Sequence, residues 1–262
     1  DVVLCEAPSF IGSLNSFRSY QVSLHGIPME EDGMDMEALE AALKANPNTK
    51  LIYTIANFQN PSGITMSMDK RRRLYALAKT YGVLVLEELE TALARKAHIY
   101  GEIIGQGQSS DAYHMAAMDP EATGILAAME RAANDAHIAR DAVDYICLHG
   151  TGTVTNDACE MKAVSEFFGE DVSRISASSI KGTLGHALGA AAALELAACA
   201  ITLDTGVVPP NCNVQNLDEH CTFRLVTQPE KLEPEVVLNS AYAFGGSNSC
   251  VLLKKWRGEA PA

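Results

Sequence analysis

Two short and nearly unbroken apolar runs, residues 51–55 (LIYTI) and 83–86 (VLVL), constrain this chain most. A strand that is apolar at every position has no face to offer water, so it belongs in a sheet covered on both sides. Around these runs the spacing turns helical. Met36, Leu39 and Leu43 follow the acidic start 30–35, and a basic stretch capped by Ser67 runs through Lys79 and stops at Gly82. A β-rich segment at 21–24 stops at Gly26, and 1–6 ends near Pro8. Strands alternating with helices predict the α/β class and a mostly parallel sheet.

Downstream the same alternation continues with a different texture. The pattern predicts a short helix over 90–97, a strand over 99–105 and an irregular loop over 107–120. An Ala-rich helix over 124–136 leads to a strand over 143–148 that delivers His149. A helix over 157–168 and a strand over 172–177 then lead to Lys181 and His186. A long small-residue helix covers 187–204, strands follow near 222–226, 236–241 and 249–254, and a Gly-rich turn occupies 244–248.

Composition narrows the function classes. The 262 residues are 47% hydrophobic, enough for one large domain or two small ones. A net charge of −13, with acidic residues in excess before and after residue 90, argues against nucleic acid or an anionic membrane as partner. The segment 187–203 is apolar but contains Glu195 and is mostly Ala and Gly, which fits a buried helix better than a membrane span. Seven widely spaced cysteines, with no Cys-x-x-Cys pair, predict reduced cytoplasmic thiols and no metal site. The start at Asp1 has no basic segment ahead of an apolar one, so no secretory signal is expected.

From about residue 82 onward the chain carries a long ordered series of motifs. They include Ile99-Tyr100-Gly101-Glu102-Ile103-Ile104-Gly105, His149-Gly150-Thr151-Gly152-Thr153, and Asn156-Asp157 with Glu160. Ser179-Ile180-Lys181-Gly182-Thr183-Leu184-Gly185-His186 and Asn239-Ser240-Ala241-Tyr242-Ala243-Phe244-Gly245-Gly246-Ser247-Asn248 complete it. This series resembles the C-terminal part of a β-ketoacyl-acyl-carrier-protein synthase, a thiolase-like condensing enzyme of fatty acid and polyketide synthesis. Residues 1–88 resemble a fragment of a class I pyridoxal-phosphate aminotransferase, through Ile52-Tyr53-Thr54-Ile55-Ala56-Asn57-Phe58-Gln59-Asn60-Pro61-Ser62-Gly63, the helix with Arg71-Arg72-Arg73-Leu74, and Glu6-Ala7-Pro8-Ser9-Phe10.

The two resemblances overlap at 82–88, which predicts a chimera whose origin, whether engineered, natural or a gene-assembly error, stays open. The expected fold is α/β, with an aminotransferase-like fragment over 1–88 and a thiolase-like half, layered α-β-α, over 89–262. The condensing-enzyme resemblance implies that His149 and His186 bind the malonyl thioester oxygen and promote loss of carbon dioxide, with Lys181 and Glu160 in support. It implies further that Thr151 and Thr153 contact a pantetheine arm, and that Phe244 offers an oxyanion-hole N–H and gates the acyl pocket. The implied partners are an acyl carrier protein with its phosphopantetheine arm and acyl or malonyl thioesters; the family dimerises through a part absent here.

None of the cysteines has the strand-to-helix context of that family's nucleophile, so condensation is expected to fail. Cys147 and Cys159, near His149 in sequence, are expected to be small buried apolar residues. The aminotransferase resemblance implies that Asn60 touches the pyridoxal ring oxygen and that Glu88 stands where an Asp pairs with its nitrogen. The Schiff-base Lys falls beyond the match, so pyridoxal phosphate enters only under the alternative of an aminotransferase remnant. A non-enzymatic interaction protein is the third reading.

Overall fold

The computed structural model describes residues 2–9, 14, 23–55, 58–82, 86, 89–94, 96–115, 117–188 and 191–258. Of the strand expected at 83–86 only Leu86 is among them, and Glu88 lies outside the described residues. The chain divides into two compact units, Asp1–Glu88 with Ala187–Ala190 and Leu89–His186 with Ala191–Ala262.

The first unit is built on four strands: β1 (Val2–Ala7), β2 (Ser23–Glu30), β3 (Gly33–Met34) and β4 (Thr49–Tyr53). They lie in the order β3-β2-β1-β4, with β1 parallel to β2 and β4 and with β3 antiparallel to β2. Helix α1 (Met36–Ala45) is capped by Asp35, whose carboxylate accepts from the backbone N–H of Glu37 and Ala38. It buries Met36, Leu39 and Leu43, as their spacing predicts, against Leu4, Ile27 and Met34. Helix α2 (Met68–Thr80) is capped by Ser67 and followed by Gly82 at positive φ, where the sequence placed its end. Strand β2 does not stop at Gly26. A Cβ there would sit 2.9 Å from the Ala7 Cβ, so this glycine lets two strands close up rather than breaking one.

The second unit opens with helix α3 (Leu89–Ala94), shorter than the predicted 90–97. Its sheet holds six strands in the order β5-β12-β11-β6-β7-β9, namely β5 (Glu102–Ser110), β6 (Tyr145–Cys147), β7 (Ser176–Ser178), β9 (Arg224–Leu225), β11 (Val236–Ala243) and β12 (Ser247–Lys254). Strands β11, β6, β7 and β9 run parallel, while β12 pairs antiparallel with both β11 and β5. A two-stranded ribbon, β8 (Val207–Val208) with β10 (Glu230–Lys231), stands apart. Helices α4 (Thr123–Asp135) and α5 (Val154–Phe168) cover one face, and α7 (Ala191–Thr205) covers the other; the one-turn α6 (Lys181–Leu184) lies between β7 and α7.

The strand sequences show why both faces are covered. In β6, Ile146 faces the α4–α5 core while Tyr145 and Cys147 face the α7 core; in β11, Leu238 and Val237 divide the same way. Successive side chains alternate between two buried layers, so neither face of these strands meets water. Each fully buried Leu or Val contributes about 1.5–3 kcal/mol relative to exposure.

Three expectations are corrected here. Strand β5 runs on through Ser110, where a loop was expected from 107, because Gly105 and Gly107 face α4. A Cβ at Gly107 would lie 2.0 Å from the Ala128 carbonyl oxygen, so the helix seats directly on the strand backbone. The segment 169–174 is a 3₁₀ turn, with β7 confined to Ser176–Ser178. The long helix begins at Ala191 among the described residues and buries Glu195, and no described helix is long and apolar enough to cross a membrane.

Candidate active site

The parallel strands β6 and β7 end at the same edge of the sheet, and the chain delivers His149 just after one and Lys181 just after the other. Ligand sites of parallel sheets form at this carboxyl edge, where loops diverge and backbone amides point outward. The two loops approach closely at Gly150, which has φ 43°, and a Cβ there would lie 2.5 Å from the Ser179 Cβ. The Ser179 hydroxyl donates to the Gly150 carbonyl oxygen at 3.1 Å and locks the approach.

His149 and His186 meet edge to face, with ring centroids 5.3 Å apart and planes at 86°. The Lys181 ammonium sits 3.3 Å from His149 Nδ1 and is ion-paired with the buried Glu195 carboxylate of α7. An ammonium has only donors, so it makes Nδ1 the acceptor and leaves the imidazole proton on Nε2. Burial, then the Lys181 charge, then His186 hold His149 down to about 3, so the ring stays neutral through the physiological range. His186, half-buried, is lowered by burial and by Lys181. It follows α6 rather than a strand.

Glu160 is fully enclosed on α5 and engages no imidazole. Its two oxygens accept from the backbone N–H of His149 and of Gly150, each at 2.8 Å. Burial outweighs these bonds and pushes its carboxyl up to about 7. Glu195 was noted in the sequence only as a charge in an apolar helix. Burial likewise lifts it to about 7 against the pull of Lys181. A lone carboxylate inside a small-residue helix is the signal that finds such a partner.

The remaining expected residues spread around this centre. Thr151 and Thr153 share a hydroxyl–hydroxyl hydrogen bond of 2.8 Å at the mouth of α5. Phe244 is 84% exposed at the β11–β12 turn. The loops leaving β5, β6, β7 and β11 at this one edge carry exposed Met115, Val154, Leu184 and Phe244. Among the thiols, Cys147, Cys159, Cys199 and Cys250 are buried, and burial raises Cys159, Cys199 and Cys250, the last to about 12, which opposes thiolate formation. Among the described residues no group of three or more His, Cys, Asp or Glu could hold a metal ion.

In the first unit the buried carboxylate Glu6 accepts from the Thr54 hydroxyl at 2.6 Å and the Gln59 amide at 3.0 Å. Asn60, the expected cofactor contact, is exposed, and the buried amide is its neighbour Gln59. Lys44 and Lys70 are engaged by Glu40 and by Glu30 with Asp32. Among the described residues this donor set does not fit pyridoxal phosphate.

With this geometry in hand, comparison with known proteins is informative. Residues 100–215 match the family model "Beta-ketoacyl synthase, C-terminal domain". Residues 1–87 match "Aminotransferase class I and II". A 3-oxoacyl-[acyl-carrier-protein] synthase 2 of Coxiella burnetii is 38% identical over 196 residues, covering 74% of this chain and 47% of that one. The ketoacyl synthase alpha subunit of the Streptomyces glaucescens tetracenomycin polyketide synthase is 35% identical, with 77% and 48% covered. A crystal structure of a β-ketoacyl synthase from Burkholderia phymatum superposes with a TM-score of 0.61 at 34% identity, covering 65% of this chain and 41% of that one. The second unit therefore has the thiolase-like layered fold of ketoacyl synthases. The chain spans about half the length of the curated relatives it matches.

Proposed function

We propose that the chain retains the thioester-binding and decarboxylating centre of a β-ketoacyl synthase and lacks the acylating step. One observation carries the reading: a neutral His149 and His186 pair beside a Lys181 that directs the His149 proton to Nε2. Loss of carbon dioxide from a malonyl thioester breaks one C–C bond and leaves the electron pair on the thioester enolate. Two imidazole N–H donors stabilise that oxygen without giving up a proton, and water then protonates the carbon to yield an acetyl thioester. The partner that fits is an acyl carrier protein presenting malonyl on its phosphopantetheine arm, as the name of the Coxiella burnetii relative suggests for that enzyme. Thr151 and Thr153 would receive the arm, with Phe244 beside the acyl group.

Acyl transfer needs a thiolate, and burial raises four of the thiols, Cys159, Cys199, Cys221 and Cys250. We infer that condensation is absent and that residues 1–88 and 89–262 are two enzyme pieces joined within 82–88. The test is carbon dioxide release from malonyl carrier protein by the parent, His149→Ala and His186→Ala chains. The parent is expected to exceed both variants at least tenfold, and equal rates in all three refute the reading. The family match of residues 1–87 carries the second reading, an aminotransferase remnant. An absorbance band on adding pyridoxal phosphate, lost in Asn60→Ala, would favour it.

A further inference from the structure

Tyr242 takes no part in the chemistry above, yet its ring packs against that of His149. It lies on β11, is 6% exposed, and its ring packs 5.3 Å from the His149 ring at a tilt of 59°. Its hydroxyl lies by Glu160 and Ser240, outside good hydrogen-bond geometry. The imidazole is thus bounded by Lys181 at Nδ1, by the edge of His186, and by this phenol ring. Its backbone is meanwhile held by Glu160.

We propose that Tyr242 is a positioning residue whose ring, rather than its hydroxyl, fixes the His149 imidazole and keeps water from its face. The inference rests on the decarboxylase reading for its consequence in catalysis, but not for its geometry. The ring is the part in contact with His149, and the hydroxyl lies by Glu160 and Ser240 instead. The charged and titratable groups facing this imidazole come from three neighbouring elements: Lys181 and His186 from the α6 segment, Glu195 from α7 behind Lys181, and Glu160 from α5. Removing the ring changes none of these. It opens the imidazole to water, and an imidazole that regains hydration regains proton affinity.

The experiment is a pH titration of the full-length chain labelled with ¹⁵N-histidine, followed by long-range proton–nitrogen spectra, with the His149 signals assigned by His149→Gln. In the parent chain His149 is expected to remain the neutral Nε2–H tautomer down to pH 5. Tyr242→Leu is expected to raise its proton affinity at least tenfold and to blur the tautomer. Tyr242→Met, closer to tyrosine in length, serves the same purpose if the Leu variant does not fold. Tyr242→Phe is expected to follow the parent. A His149 titration unmoved in folded Leu or Met variants overturns the proposal, as does a shift in the Phe variant, which would assign the effect to the hydroxyl. Carbon dioxide release measured alongside separates the two claims. A parent chain that releases none defeats the decarboxylase reading, while the titration still decides the role of Tyr242.

Discussion

Lys181 stabilises the fold and sets the chemistry of the site, and the two effects can be separated. Lys181→Met leaves Glu195 buried without its counter-ion, which is expected to cost about 3–5 kcal/mol. Lys181→Met with Glu195→Leu removes both charges and is expected to recover most of that loss while remaining without decarboxylase activity. Urea midpoints from the fluorescence of Trp256, the single tryptophan, two residues beyond β12, measure the cycle. A double variant no more stable than the single one would contradict the pairing. The pH dependence follows from the same residues. His149 is lower when folded, about 3 against 6.5, so the unfolded chain binds more protons and stability falls as pH drops through that window. Glu160 and Glu195 are higher when folded, about 7 against 4.5, so they favour folding at low pH and their contribution is lost as pH rises through 7. Between 4.5 and 6.5 two carboxyls oppose one imidazole, so stability is expected to fall as pH rises, by at most about 1.4 kcal/mol per unit. Below 4.5 His149, at most about 1.4 kcal/mol per pH unit, acts in the same direction as His186 and the carboxylates held low by their cationic partners, and His149→Gln is expected to remove its share. Identical acid slopes in both chains would contradict this.

At the scale of elements, glycine decides where helices sit. Gly107→Ala is expected to push α4 off β5 and to cost about 1–3 kcal/mol, because the new methyl meets the Ala128 carbonyl oxygen and the Ala132 nitrogen. Gly152→Ala, where no atom lies within 4 Å and only the backbone conformation resists, is the comparison. Equal urea midpoints in the two variants would show that the helix yields freely. Those same glycines explain what the sequence left illegible. Helices α1 and α2 were legible because Asp35, Ser67 and the apolar spacing sit within a few residues of each other. Only the start of strand β5 was, because Gly105 and Gly107 on its helix-facing side look like loop when read one residue at a time. His149, Lys181, His186 and Glu160 were found through a resemblance rather than through periodicity. What the motifs could not show is that Glu160 holds backbone and that Glu195, 46 positions from His149, completes the charge around the ring through Lys181. Such partnerships are made by the sheet and leave no local trace.

For the molecule as a whole, the separate cores matter most. The first unit is built around Leu4, Ile27 and Leu39, and the second has its own pair of apolar layers. Unfolding in urea is therefore expected to occur in more than one step, with Trp256 fluorescence reporting the second unit and far-ultraviolet circular dichroism reporting both. A single transition coincident by both probes would refute this. The carboxyl edge of the larger sheet has its own consequence. Four of its strands run on into segments with an exposed apolar side chain, so the second unit has an oily pole there. Concentrated salting-out buffers should turn that pole into the first place where neighbouring molecules stick.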